Sequence, residues 1–440
     1  MMTRDVITDR VQKWANERVL APYILQAKEG KLRNLWEAVL SVSPFELERQ
    51  DKFVMRRRVD IPGVTPLRME DKAFPRFNMI ATLLPREGFF DVAQDTHLRN
   101  AYPDRLVNTM NMVTPTYMHR DFRFTTTEHT KELIGGHDAN KEGYDGRGSF
   151  VSVLDTGASR VHEQVRGIDF VTVQTGQQAD GNGHGTHVAT TVGGDRKMNK
   201  RLSRRTGKEL WAEGIAPQCD MLAIKCLGYI IGTGMRSHIV EALDIALERG
   251  SDVINLSLGG PIDYDSPEES VYFDIFERCR ENGAIPVSAV GNSGPDGKTV
   301  GDPGGLPNTL SVGAWDTIRG HVAPFSSRGP TPWGDAGVDC LAPGVNIMSG
   351  VTGQLEWAGT RQKNGYSELQ GTSMATPHVS GLVALMRDSK LDLVGEELTL
   401  GEIQEMLQRL GKPRNPDAGH GLITWYMWKE WLSTEYGVEV

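Results

Sequence analysis

The sequence predicts an α/β protein: a three-layer αβα domain on a mainly parallel sheet, preceded by a smaller α+β region. Three observations lead there. From about Gly143 onward, short β-branched runs alternate with helical patterns and glycine turns, the pattern of a parallel sheet covered by helices on both faces. The 440 residues exceed one small domain, so two units are expected. With 39% hydrophobic and 24% charged residues, the chain can bury a large core.

Residues 1–50 read as helical, with Val11, Trp14, Val19 and Leu20 set among charges. Asp60 to Pro66 is a loop by its proline and glycine content, and Phe77 to Leu84 reads as a strand. A mixed segment follows to about residue 125, and character changes at the turn-rich stretch Gly143 to Gly148. Strands are predicted at Phe150 to Leu154, Met221 to Lys225, Asp252 to Leu256 and Ile285 to Val290. Ile239, Leu243, Ala246 and Leu247 share one helical face, and Gly250 stops it. Val379 to Met386 is an apolar helix. In such sheets ligands bind beyond the carboxyl ends of the strands.

A formal net charge of −9 argues against nucleic-acid or anionic-membrane partners, which would favour a basic face. The basic run Lys197–Lys208 reads as a solvated loop. Cys219, Cys226, Cys279 and Cys340 show no CxxC spacing, so neither a metal centre nor a disulfide scaffold is expected. Cys226 and Cys340 adjoin leucines and read as buried thiols, whereas Cys219 and Cys279 have polar neighbours. The first residues never run into an apolar segment, which favours an intracellular location.

Four polar residues stand at the ends of predicted elements. Asp155 follows the strand ending at Leu154; His184 follows the glycine-rich Asp180-Gly181-Asn182-Gly183; Asn292 follows the strand reaching Val290; Ser373 precedes the apolar helix. Each alone has an ordinary structural explanation as a turn or cap residue. Jointly they supply what metal-free amide hydrolysis requires: a nucleophile, a base, a group that orients the base, and an oxyanion donor. Ser373 would attack, His184 accept its proton, Asp155 hold the imidazole tautomer, and Asn292 donate to the oxyanion.

The wording around these residues resembles one family. Val153-Leu154-Asp155-Thr156-Gly157, the run Gly183 to Ala189 and the run Gly371 to Val379 resemble the three signature blocks of subtilisin-like serine peptidases, in that family's order Asp, His, Ser. Ile254 to Gly260 resembles its substrate-binding strand and Val290-Gly291-Asn292 its oxyanion segment. The resemblance runs from about Gly143 to about Met386. It implies a serine endopeptidase with Asp155, His184 and Ser373 as triad and Asn292 as oxyanion donor, and structural roles for His187 and His378. No triad residue is replaced, as a catalytically silent relative would require. No long insertion separates the blocks, as a tripeptide-releasing exopeptidase would require.

The resemblance also implies how substrate binds. Ser257 and Gly259 on one side, and Gly232 and Gly234 on the other, would flank an extended protein or peptide substrate by strand addition, with glycines admitting close approach. Gly301 would leave a roomy primary pocket, implying a large apolar residue before the scissile bond. Asp302 reads as a turn former, and Arg236 falls near the fourth subsite. No cofactor is implied for the chemistry. Structural calcium is common in the family, but Gln164 stands where a ligating carboxylate is usual. Residues 1–120 occupy the position of an inhibitory propeptide and 121–440 that of the peptidase domain. An extended stretch around Met118 to Thr127 then suggests processing after Phe122 or Phe124.

Overall fold

The computed structural model describes residues 9–16, 20–42, 47–49, 54–59, 67–109, 125–165, 167–173, 179–200, 203–204, 207, 209–229, 232–352 and 365–439. They form two compact units, one of residues 1–106 with 235–244, the other of residues 107–234 with 245–440. Phe122 and Phe124 lie outside the described residues.

The first unit contains α1 (Asp9–Asn16), β1 (Leu20–Ala27), α2 (Leu32–Ser41), β2 (Leu47–Arg49), β3 (Val54–Val59), β4 (Leu67–Phe74), β5 (Met79–Pro85), α3 (Arg86–Ala93) and β6 (Leu98–Pro103). Its strands form one antiparallel sheet in the order β2-β3-β4-β5-β1-β6. The segment 20–27, expected to be helical, is a central strand. Pro22 has no N–H for a helix interior, and Tyr23, Ile24 and Leu25 are fully buried there. The strand expected from Phe77 begins at Met79, because Asn78 adopts φ 53 and ends a short turn over Pro75–Phe77. Val11, Leu25, Leu35, Ile80 and Phe89 belong to one core, in which Phe89 stacks on Tyr23 with centroids 4.2 Å apart. Within this unit Asp104 accepts Ser237 N–H at 2.9 Å and Ser237 O–H at 2.6 Å. Burial pushes its pKa up to about 6, against the pull of those bonds.

The second unit starts with residues 107–109 of β7 (Leu106–Thr109) and continues through β8 (Thr125–Thr126), α4 (Thr127–Leu133), α5 (Gly136–Lys141), β9 (Phe150–Asp155), β10 (Asp169–Thr172), α6 (His184–Gly193), β11 (Lys197–Met198), β12 (Trp211–Ala212), β13 (Asp220–Lys225) and β14 (Thr233–Met235). After α7 (Arg236–Glu248) come β15 (Val253–Leu256), β16 (Leu258–Pro261), α8 (Phe273–Glu281), β17 (Ile285–Ala289), β18 (Gly301–Asp302), β19 (Leu310–Asp316), β20 (His321–Val322), β21 (Cys340–Pro343), β22 (Ile347–Val351) and β23 (Gly365–Leu369). The chain closes with α9 (Thr372–Leu393), α10 (Leu400–Leu410) and α11 (Trp425–Tyr436).

The main sheet runs β10-β13-β9-β15-β17-β19-β21, every neighbouring pair parallel, with β20 added antiparallel to β19. Val151, Val153, Val253, Val287 and Val312 share one core with Val188 of α6 and Val379, Leu382 and Leu385 of α9. The alternate residues Leu154, Leu222, Ile224, Ile254 and Leu256 are also fully buried, so the sheet is covered on both faces in a three-layer arrangement. A separate four-stranded sheet runs β14-β7-β16-β18. The predicted apolar helix begins earlier than expected, at Thr372, so Ser373 lies in its first turn. All four cysteines are free and buried; burial pushes the Cys219 thiol up to about 12. No helix among the described residues is long and apolar enough to cross a membrane.

Candidate active site

Asp155 ends β9 and is fully buried. His184 opens α6, and its Nδ1 lies 2.8 and 2.9 Å from the two carboxylate oxygens of Asp155. A carboxylate only accepts, so Nδ1 carries the hydrogen and Nε2 keeps its lone pair. That Nε2 is buried with no hydrogen-bond partner among the described residues. A buried nitrogen lacking a partner is a base aimed at something.

The bond depends on close packing between two turns. A Cβ at Gly185 would sit 2.0 Å from the Gly157 carbonyl oxygen, so only glycine lets α6 approach the end of β9. Asp180 locks the intervening loop. One carboxylate oxygen accepts Asn182 N–H at 3.1 Å, Gly183 N–H at 2.8 Å and Thr156 O–H at 3.0 Å; the other accepts Thr186 N–H at 2.9 Å and Thr186 O–H at 2.6 Å. Burial raises its pKa, and the bonds from Thr186 and Gly183 oppose that rise. Lys225, facing Asp155 across β13 and β9, donates Nζ to the Thr156 carbonyl at 2.8 Å. Burial lowers its pKa, opposed by Asp180 and Asp155. Sequence reading placed Asp180 only within a glycine-rich loop and gave Lys225 no role; an acid three residues before Gly-His, able to cap several backbone N–H groups, was the available signal.

Ser373 sits at the neighbouring strand end. β15 runs beside β9 with Asn255 opposite Val153, so Ser257, two residues on, follows β15 much as Asp155 ends β9. Adjacent strands lie about 4.8 Å apart. Ser373 donates Oγ–H to the Ser257 carbonyl at 3.0 Å, and Ser257 Oγ–H donates to the Ser373 carbonyl at 3.0 Å. Asn255 supports this exchange, donating to Ser257 Oγ and accepting from Ser380 of α9. As a residue of the first turn, Ser373 has a backbone N–H without an intrahelical acceptor.

Asn292 is oriented from the other side. Its Oδ1 accepts Thr372 N–H at 2.8 Å and Thr372 O–H at 3.0 Å. Its amide nitrogen faces Gly371, where a Cβ would stand 3.1 Å away. The donor end of Asn292 and the first turn of α9 therefore converge beside Ser373.

The predicted substrate residues border the four-stranded sheet. Gly232 precedes β14 and Gly234 lies in it; Ser257 precedes β16 and Gly259 lies in it; Gly301 is on β18, opposite Pro261. Asp302 is no mere turn former: it is buried and accepts from Tyr264 O–H at 2.7 Å and Ser270 O–H at 2.8 Å. Arg236 is buried at the start of α7.

The other histidines of the motifs are structural by environment. His187 donates Nε2–H to the Ile347 carbonyl at 2.9 Å, and burial holds its pKa down at about 3. His378 donates Nδ1–H to the Met374 carbonyl, receives Thr130 O–H on Nε2, and is held at about 4 by burial. Gln164 is buried and donates Nε2–H to the Asp195 carbonyl at 3.1 Å; an N–H held against that loop does not suit a cation there. Among the described residues no group of three or more histidine, cysteine or acidic side chains is placed to hold a metal ion.

A model of the subtilase family matches residues 146–410, a span that takes in Asp155, His184, Asn292 and Ser373. Subtilisin DY of Bacillus licheniformis is 35% identical over 258 residues, 58% of this chain and 82% of its own length. The serine protease AprX of Bacillus subtilis is 31% identical over 322 residues, 67% of this chain and 69% of its own. Subtilisin Savinase of Lederbergia lenta is 36% identical over 252 residues, 57% of this chain and 80% of its own.

Proposed function

The chain belongs to the subtilase family of serine endopeptidases, and from that premise we propose that Ser373, His184 and Asp155 hydrolyse peptide bonds of proteins with Asn292 as oxyanion donor. One observation carries the reading: the Asp155 carboxylate occupies Nδ1 of His184 and leaves a buried Nε2 without a partner among the described residues, while Ser373 is bonded to Ser257 at the end of the neighbouring strand. Ser373 Oγ turns from the Ser257 carbonyl to Nε2, gives up its proton and attacks the substrate carbonyl. Negative charge on the carbonyl oxygen is met by Asn292 Nδ2 and the Ser373 backbone N–H. Collapse breaks the C–N bond, and the imidazolium returns its proton to the leaving amine. Water, deprotonated by the same nitrogen, then releases the acid.

Gly232, Gly234, Ser257 and Gly259 hold the substrate backbone, and Gly301 keeps the primary pocket open to a large apolar side chain. Residues 1–120 act as an N-terminal extension that inhibits in cis, and residues 121–440 as the peptidase domain. A fluorophosphonate tests the site. It is expected to label Ser373 and abolish hydrolysis, and Ser373→Ala is expected to lose several orders of magnitude in rate with the fold kept. Full hydrolysis by purified Ser373→Ala would refute the triad. Chelators are expected to leave the chemical step intact.

A further inference from the structure

Resting on this reading of the site, we infer that Tyr264 is a positioning residue for the primary pocket: through its bond to Asp302 it fixes the strand on which Gly301 lies, and so sets how strongly the enzyme selects the residue before the scissile bond. The starting point is how short β18 is. Its two residues pair with β16 only through Gly301 opposite Pro261 and Asp302 opposite Gly260. Gly301 N–H donates to the Val290 carbonyl at 2.9 Å, and its own carbonyl accepts Gly305 N–H at 2.8 Å. Val290 leads straight into Gly291 and Asn292, so β18 is bonded to the segment that carries the oxyanion donor.

Gly301 has no side chain, and the depth of a pocket at that point depends on where the backbone lies. What holds that backbone from outside is Asp302. Its buried Oδ1 accepts Tyr264 O–H at 2.7 Å and Ser270 O–H at 2.8 Å, both from the segment between β16 and α8. Hydrogen bonds to a charged acceptor are the strong kind, and a buried carboxylate that loses a donor is destabilised.

The other end of Tyr264 is held as well. Its ring lies parallel to that of Trp333, 4° apart in plane with centroids separated by 5.9 Å, a favourable offset stack. Trp333 belongs to residues 328–337, which pack along the approach to Gly301. Lys298 N–H donates to the Gly329 carbonyl at 3.0 Å and Thr299 N–H to the Arg328 carbonyl at 2.9 Å. A Cβ at Gly337 would stand 3.3 Å from Val300 Cγ2. Arg414 pins this loop with two bonds to Asp335, at 3.2 and 3.0 Å, and one to Asp339 at 2.8 Å. Tyr264 therefore joins the pocket strand, through its hydroxyl, to a braced loop, through its ring.

The two functions of this side chain can be separated. Phenylalanine fills the same space and keeps the stack, but gives Asp302 no hydrogen. β18 is then freed to shift, and a misplacement of about 1 Å is worth roughly 100-fold in rate. A side chain long enough to reach Gly301 registers the shift, whereas an alanine does not reach it.

The test compares wild type, Tyr264→Phe, Asp302→Ala and the double variant on two chromogenic peptides that differ only in phenylalanine or alanine before the scissile bond. Fluorophosphonate labelling and urea unfolding run in parallel. Wild type is expected to favour the phenylalanine peptide, and Tyr264→Phe to lower that kcat/KM ratio by about five- to tenfold. Preference at the preceding peptide position is expected to stay within about twofold. Adding Tyr264→Phe to Asp302→Ala is expected to change the ratio less than about twofold, because both remove the same bond. Lost stability with an unaltered ratio, equal loss on both peptides, or additive effects would overturn the inference. If Ser373 takes the label but wild type does not favour phenylalanine, the inference fails and the active-site reading stands. If Ser373 takes no label, both fall.

Discussion

Asp180→Asn separates positioning from chemistry at this site. The substitution keeps size and shape but turns one oxygen, which only accepts, into an NH2 group, which only donates. Asp180 accepts five hydrogen bonds, three from backbone N–H groups of Asn182, Gly183 and Thr186. Whichever way the amide settles, at least one buried N–H then faces a donor. An orphaned buried donor costs about 1–3 kcal/mol, so the unfolding free energy should fall by that amount. The same loop delivers His184, whose own N–H is held by Asn182 Oδ1 at 3.1 Å. A displaced imidazole loses alignment with Ser373, and misplacement of about 1 Å is worth roughly 100-fold in rate. Urea unfolding and steady-state kinetics on a chromogenic peptide read both effects. A 10- to 100-fold lower kcat with KM nearly unchanged is expected, together with the stability loss. Wild-type stability and kcat would refute the reasoning outright. Lost stability with wild-type kcat would show that the loop does not place the base.

The remaining predictions address other parts of the chain. Asn292→Ala should lower kcat by about 10²–10³ with KM little changed, a size taken from the equivalent experiment on subtilisin; an effect confined to KM would contradict an oxyanion role. Gly185→Ala should lower the melting temperature and kcat together, because its Cβ would meet the Gly157 carbonyl oxygen at 2.0 Å; an unaffected enzyme would mean the turn relaxes freely. Asp104 has a folded pKa of about 6 against an ordinary 3.8, so its neutral form is favoured in the folded unit. The stability it contributes is complete below about pH 4 and is lost as pH rises through about 6, at most 2–3 kcal/mol. Asp104→Asn in the Ser373→Ala protein should flatten the urea midpoint between those pH values, and an unaltered slope would rule Asp104 out as its source.

What the sequence disclosed was local. Asp155, His184, Asn292 and Ser373 each sit within a few residues of a strand end or helix start, in runs whose turn residues and β-branched neighbours can be read directly. The main sheet was legible for the same reason: its strands are short, apolar on both faces and separated by helical periods. The misread segment, Leu20–Ala27, shows the limit of periodicity. Apolar residues among charges suit a helix or a strand, and only pairing with β5 and β6 settles it. Asp180 was missed because its role lies in five bonds, visible only once loop and helix have closed around it. β7 was illegible on any local criterion: four residues, Leu-Val-Asn-Thr, acquire meaning through Gly232 and Leu258, more than a hundred positions downstream.

That long-range pairing bears on specificity. β14 and β16 are strands with edges to be satisfied, because backbone N–H and C=O groups left dry and unpaired are costly. Asn108 and Thr109 meet that need by main-chain pairing with Gly232, Leu258 and Gly259, none of which depends on the identity of the residue bound. A cleft that recognises its occupant chiefly through backbone groups accepts many sequences, leaving selectivity to the few side chains that face inward. In β7 those are Val107 and Thr109, both buried. Peptides carrying Val-Asn-Thr should therefore outcompete the same peptide with aspartate in place of the Val107 equivalent as inhibitors of the enzyme, whereas exchange of the outward Asn108 equivalent should alter inhibition less than twofold. Equal inhibition by the valine and aspartate peptides would mean that the cleft does not read its inward side chains, and recognition would then rest on the backbone alone.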